Sequence, residues 1–354
     1  MSFARPLALR AITLIGVLLV VLLLLVVTLG ATGFSDRLLQ ATIGEEVRGL
    51  RTSLSQSQTF GGNVEALDEA VEARRAELVE FYDLDQHWAR RLPSTVLRVL
   101  TLDLGEARNL KSFSGSRRVS DIVLDRLPNT ALLLTTSLVI TAIIGLFAGV
   151  RLSTRIGSKI DRIVSYFSAV SFATPAWWLG ILMILIFAFK FGWLPSGGMY
   201  STPPPEGGFL RFVDLLKHAI LPVLTLVLVS IGPYIYSVRT MTMNVAQEDH
   251  VAMARAKGMP EGIVTRRHIL RVAAPPIVTG LILGLAGSLG GSILVETIFN
   301  WQGMGRLYFE AVSGGAPDEG VIVALTFVFT LLYVAARFIL EVLYIVLDPR
   351  VRYT

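Results

Sequence analysis

Runs of about twenty apolar residues recur along this chain, and no other feature restricts its fold as much. As a helix, such a run crosses the roughly 30 Å hydrocarbon core of a bilayer with its backbone groups satisfied internally. The first is "AITLIGVLLVVLLLLVVTLG", Ala11 to Gly30, behind Arg5 and Arg10. Five more lie at Asn129–Val150, Ile163–Phe189, His218–Met243, Pro276–Ile298 and Gly320–Leu347. Composition agrees, since only 17% of residues are charged where a soluble domain carries about a quarter. The expected fold is an all-α integral membrane protein with six transmembrane helices.

The first run imitates a signal peptide, but it exceeds the roughly 7–15 residues of a signal core, and "GATGFSD" is a poor cleavage site. It is expected to stay as an anchor. The third and fourth runs are interrupted by "ATPAWW" and "IGP", which neighbouring helices make tolerable in a bilayer. Six spans put both termini on one side, and basic loops choose it. Arg151, Arg155, Lys159 and Arg162 follow the second run. Arg255, Lys257, Arg266, Arg267 and Arg271 separate the fourth and fifth, with Arg239 at the edge. The opposite loops hold few, and "NWQGMGRLYFEAVSGGAPDEG" has only Arg306. The positive-inside rule makes both termini cytoplasmic in a multi-pass protein of the plasma (inner) membrane.

Four segments result: 1–30, a cytoplasmic tail and first helix; 31–126, an external helical segment; 127–347, the remaining helices with a loop at about 244–275; and 348–354, a cytoplasmic tail. Within the external segment, "NVEALDEAVEARRAELVEFYDLDQHWARRL" follows the turn signal "GGN" and reads as a helix or helix pair.

Several chemistries find no support. With no cysteine, the chain has no disulfide, thiolate metal site or cysteine nucleophile. The histidines His87, His218, His250 and His268 include no pair at i,i+4 metal spacing, so no metal site is expected. There is no G-x-x-x-x-G-K-[ST] phosphate loop and no G-x-S-x-G elbow, so neither a cofactor nor catalytic residues are expected here. The net charge of +5 belongs to the cytoplasmic loops rather than to nucleic-acid binding.

Ionisable residues well inside the runs are Glu296, Arg337 and Glu341. Such residues are costly in a bilayer and therefore candidates for a pore or a structural role. Arg337 and Glu341 are four apart and are expected to pair on one helix face. Glu296, near the outer end of its run, is expected to be a cap or a pore-mouth residue. So few internal charges give an ion-coupled secondary transporter little support. A membrane sensor lacks room for an output domain, the longest cytoplasmic loop being about thirty residues.

The segment "DHVAMARAKGMPEGIVTRRHILRVAAPPIV" is orderly for a loop. Ala252, Ala254 and Ala256 favour a short helix that Gly258 can end with positive φ. Small side chains let such a helix sit in a partner's cleft, with Arg255 and Lys257 pairing at its rim. A plain loop at the headgroups explains the same residues.

This segment resembles the cytoplasmic EAA-type loop in permease subunits of ATP-binding-cassette importers, with the "ARAKG" wording of the dipeptide/oligopeptide permease branch. "DIVLDRLPNTALLL", "LDQHWARRL…LDLG", "LVETIFNWQGMGRLYFEAV" and "LYIVLDPRVRYT" resemble other stretches of that branch, so the similarity covers about Leu84 to Thr354. The resemblance implies a type I importer permease fold forming half of a pore. It makes Ala252 to Gly258 a coupling helix, with Ala252, Ala254, Arg255, Ala256, Lys257 and Gly258 on a separate ATPase, and Pro275 and Pro276 fixing the turn into the fifth span. Implied partners are a second homologous permease, two ATP-binding subunits holding ATP-Mg, and an external substrate-binding protein. The implied cargo is peptide, with nickel chelates and oligosaccharides also carried in the branch. Against the family pattern, "TIGEEVRGLRTSLSQSQTFGG" has no counterpart, and Gln302 stands where proline is usual.

Overall fold

The computed structural model describes residues 4–347 apart from 32, 57–63, 82–83, 85–86, 88, 91–92, 94–95, 98–99, 102–104, 108–109 and 314–317. The described residues are largely helical, with no strand beyond one isolated bridge between Glu106 and Arg118. In chain order they form α1 (Ala4–Ala31), α2 (Phe34–Ser55), α3 (Val64–Phe81), α4 (Val119–Ser153) and α5 (Lys159–Ala173). α6 (Ala176–Met183) continues as a π-helix over Ile184–Lys190. α7 (Gly208–Ala246) and α8 (Asp249–Ala256) follow, then a turn at Glu261–Ile263 and a π-helix at Val264–Leu270 that run into α9 (Arg271–Ile298). α10 (Met304–Ser313) and α11 (Glu319–Leu347) complete the order.

Each expected apolar run falls on helix, the third with a break at Thr174–Pro175. By length and apolarity, α4, α7 and the Gly320–Leu343 part of α11 can each cross a membrane, and α5 with α6 adds a fourth if the bent pair is one span. The chain divides into two compact units. One holds α1 as far as Ile15, Arg126–Phe309 and α11 from Leu331; the other holds Gly16–Asp125 and Glu310–Thr330.

In the first unit, Leu133 and Leu134 of α4, Leu221, Leu226 and Ile231 of α7, and Phe299 and Trp301 beyond α9 form one apolar core. Two proline sites expected to interrupt the helices behave differently. α7 runs unbroken through Pro222 and Pro233. Pro233 has no N–H to give the Val229 carbonyl one turn earlier. Ser171 of α5 replaces it, donating its hydroxyl to Leu228 O at 2.6 Å and Val229 O at 3.0 Å. Gly232 makes that approach possible, because a Cβ there would lie 2.6 Å from Ser171 Cβ. At Thr174–Pro175 the chain does break, and α5 and α6 meet at a 102° bend. Proline disfavours helical backbone in the residue before it, and Thr174 is extended at φ −85° and ψ 120°.

In the second unit, α2 and α3 pair through the buried side chains Ile43, Leu67, Val71 and Leu78. Arg51 meets Asp68 at 2.8 Å and Arg74 meets Glu46 at 2.9 Å. The stretch without a family counterpart supplies much of α2. The helix expected from Asn63 begins at Val64 and ends at Phe81; beyond that, the expected run falls partly outside the described residues.

Candidate functional site

α8 sits between the two long helices α7 and α9. The extended backbone of Glu248, at φ −73° and ψ 148°, turns the chain out of α7. At its far end Gly258 has φ +71°, with open space where a side chain would stand. Met259 N–H reaches Ala254 O at 3.4 Å and Gly258 N–H reaches Arg255 O at 2.9 Å. These crossed bonds with a left-handed glycine make a Schellman end, which satisfies carbonyls that a helix terminus leaves orphaned. The turn out of α8 therefore falls at Gly258–Pro260. Pro275 and Pro276, expected to make the turn into the fifth span, lie inside α9.

Three attachments hold α8 to its base. Val251 and Ala254 are buried against Val264, Ile269, Val245 and Ala246. Arg255 donates to Glu261 from Nη2 at 2.7 Å and from Nε at 3.0 Å. His250 Nε2 lies 3.0 Å from His268 O. Two expected docking residues thus work within this chain. Ala254 is small because the helix sits close on Val264 and Ile269, and Arg255 is engaged by Glu261 rather than left to a partner's rim. Its guanidinium holds the Glu261 carboxyl below the usual glutamate value. Ala252, Ala256, Lys257 and Gly258 remain on the exposed side, together with Met253 and Met259. Met253, 59% exposed, projects furthest in apolar character, and sequence reasoning passed over it.

Glu296 is fully buried near the end of α9. Its carboxylate accepts from Thr130 Oγ1 at 3.0 Å, Gly305 N at 2.8 Å and Arg306 N at 3.1 Å. Gly305 and Arg306 open α10, so the carboxylate meets N–H groups at the positive end of that helix. Of the two expected roles, the geometry is that of a cap. Trp301 Nε1 donates to Asn129 O at 3.0 Å and Asn129 Nδ2 to Gln302 O at 2.6 Å, which fastens the same turn to α4. Gln302 also accepts from Arg126 Nη1 at 2.8 Å, a contact proline could not make.

Arg337 and Glu341 are not paired. Glu341 has Arg10 Nε at 4.0 Å, and no ion pair joins it to Arg337 among the described residues. The order explains this in part, because a cation placed four residues before a carboxylate is the weaker i,i+4 arrangement.

A pair that the sequence reading missed is Asp161 of α5 with Arg239 of α7. Arg239 donates from Nε at 2.5 Å and from Nη2 at 2.8 Å, one bond to each carboxylate oxygen. Asp161 also accepts from Gly157 N at 2.9 Å, while its own N–H reaches Ser158 Oγ at 3.1 Å. The signal was present, since Ser158 and Asp161 have the S-x-x-D spacing of a capping box ahead of an apolar run.

These elements define a polytopic helical membrane protein with a short helix strapped rigidly between two long ones. Residues 141–353 match a family model described as binding-protein-dependent transport system inner membrane component. The chain belongs to that family of transport permease subunits, which are not themselves enzymes. It is 34% identical over 235 residues to the oligopeptide transport system permease protein AppB of Bacillus subtilis (strain 168), covering 66% of this chain and 72% of that one. It is 32% identical over 290 residues to a putative peptide transport system permease protein of Brucella abortus (strain 2308), covering 81% and 86%. Against the glutathione transport system permease protein GsiC of Escherichia coli (strain K12) it is 34% identical over 242 residues, covering 68% and 74%. Among solved structures, the inward-facing MetNI methionine ABC transporter superposes with a TM-score of 0.51 at 18% identity, over 64% of this chain and 96% of that one. The fold is the type I importer permease fold that the sequence led us to expect.

Proposed function

We propose that this chain forms half of the translocation pore of an ATP-driven, binding-protein-dependent importer of di- and oligopeptides. A homologous permease supplies the other half, an external binding protein delivers the peptide, and two cytoplasmic ATP-binding subunits hold ATP-Mg. The chain crosses the membrane six times with both termini in the cytoplasm, the side on which its basic loops place α8. Peptide cargo is supported by the names of relatives from several organisms. The observation that carries the coupling role is the division of α8 into two faces. Val251 and Ala254 fix it to α7 and to the π-helix ahead of α9, and Arg255 fixes it to the turn at Glu261, while Ala252, Met253 and Ala256 stay exposed.

A helix held at three points transmits displacement rather than absorbing it. Closure of the ATP-binding subunits moves α8 and its base together, and α7 and α9 follow as a rigid body, so the pore switches between inward-open and outward-open packings. Met253→Asp tests the contact in the reconstituted complex. A carboxylate in an apolar seat, buried and unpaired, is strongly unfavourable. The variant should lose peptide-stimulated ATP hydrolysis and trialanine uptake by about tenfold or more. Full coupling in Met253→Asp overturns the docking face. Uptake that survives ATP depletion but collapses with the ion gradient overturns the importer reading in favour of a secondary transporter.

A further inference from the structure

A cavity of about 370 Å³ opens among α4, the last turn of α5, α7 and α9 in the first unit. Thr141 of α4, Ser230, Tyr234 and Ser237 of α7, and Gly280 and Gly284 of α9 help to line it. The register of α7 explains part of this, since positions i, i+4 and i+7 share one helix face. Gly280 and Gly284 are one turn apart, and at neither does anything beyond its own stretch of helix come within 4 Å of where a Cβ would stand. That wall is therefore held open by the absence of side chains.

Thr141 marks the cavity as more than a packing gap. It is 4% exposed, and its Oγ1 has no hydrogen-bond partner. Ser137, one turn earlier, gives its hydroxyl to Leu133 O at 2.8 Å, and Thr135, Thr225 and Thr242 return theirs to the same turn in the same way. A buried hydroxyl without that bond is unfavourable unless something else meets it. Among the described residues, no carboxylate, ammonium or guanidinium lines the space. A lipid chain needs no hydroxyls, and a charged ligand needs a counter-charge. Neutral hydroxyls on an apolar wall match a neutral ligand with amide N–H and C=O groups. The volume also falls in the range of small-ligand sites, roughly 300–1,000 Å³.

We propose that this cavity is a substrate subsite within this subunit, taking uncharged backbone amides and small apolar side chains of a short peptide. The proposal rests on the peptide-import reading above. A neutral site suits transport, because conduction requires binding weak enough to release.

The test uses the assembled importer in proteoliposomes with trialanine as the probe. The chain has no cysteine, so Gly280→Cys becomes its sole thiol, and beyond its own stretch of helix nothing lies within 4 Å of where the added Cβ would stand. A charged, water-soluble methanethiosulfonate reagent should modify it, and trialanine should slow that modification about threefold or more. Thr141→Val, which removes only the hydroxyl, should raise the KM for trialanine uptake by about threefold while the complex assembles normally. If wild-type importer takes up trialanine but the peptide gives Gly280→Cys no protection, the subsite is overturned and peptide import stands. Reaction with a lipid-soluble maleimide alone overturns the subsite in favour of a lipid-facing cavity, and no reaction with either reagent means the second permease fills it. Absence of trialanine uptake by the wild type overturns the peptide reading, and the subsite falls with it.

Discussion

Ser171 does for α7 what the local chain cannot. Pro233 takes an N–H out of the helix ladder, and the hydroxyl of a residue on another helix meets Val229 O in its place. Ser171→Ala leaves that carbonyl without a donor in a buried setting, which should lower the stability of the detergent-solubilised protein by about 1–3 kcal/mol. Adding Pro233→Ala restores the missing N–H and should recover most of the loss in thermal unfolding. A double variant no more stable than Ser171→Ala alone would show that the serine acts through packing against Gly232 instead. The bidentate Asp161–Arg239 pair joins the same two helices, so the α5–α7 contact combines a backbone repair with a buried charge pair.

For α8, the two faces give separable predictions. Ala254→Leu overpacks the contact with Val264 and Ile269, which typically costs about 1–3 kcal/mol. It should raise hydrogen exchange across α8 as well as weaken coupling, whereas Met253→Asp should weaken coupling with exchange unchanged. Identical exchange in both variants would refute the assignment of the buried face. The strap from Arg255 to Glu261 carries a pH dependence. Its glutamate is held below the ordinary value of 4.5, so the contact favours the folded loop above that value and is lost as pH falls through the lowered one. The side chains are 44% and 60% exposed, so salt screens the effect and it should be small. Exchange of the 257–264 amides, corrected for intrinsic rates, should rise as pH drops below 4.5 in the native chain. Glu261→Gln should show the faster exchange at every pH; a Gln variant that matches the native chain throughout removes the strap from the account.

Across the whole molecule, contacts between distant parts of the chain settle roles that spacing leaves open. Arg10 of α1, rather than Arg337, makes an ion pair with the Glu341 carboxylate in α11, at 4.0 Å. Arg337 and Glu341 share no ion pair, so the variant carrying both Arg337→Leu and Glu341→Leu should be no more stable than the sum of the two single effects. Thermal unfolding of the two single variants and the double variant measures this. A double variant clearly more stable than that sum would reinstate the pair. Glu296 shows long-range placement more strongly: its carboxylate is held by Thr130, 166 residues away in sequence, and by the first N–H groups of α10.

Sequence by itself determined where this chain is helical in its apolar runs, and that the segment after Asp249 is a short helix ended at Gly258. Those properties are local. A run of apolar side chains long enough for a bilayer must satisfy its own backbone, and a left-handed helix end favours glycine. Whether a proline breaks its helix was not local, because the Ser171 hydroxyl that meets Val229 O comes from 58 residues away. Nor was the buried face of α8, which depends on Val264 and Ile269 folding back beneath Ala254. Spacing showed that Arg337 could reach Glu341, but electrostatic partners are chosen among all the groups that the fold brings near. Only the tertiary structure supplies those groups, since hydrogen-bond donors and counter-charges act over a few ångströms of space and are indifferent to separation along the chain.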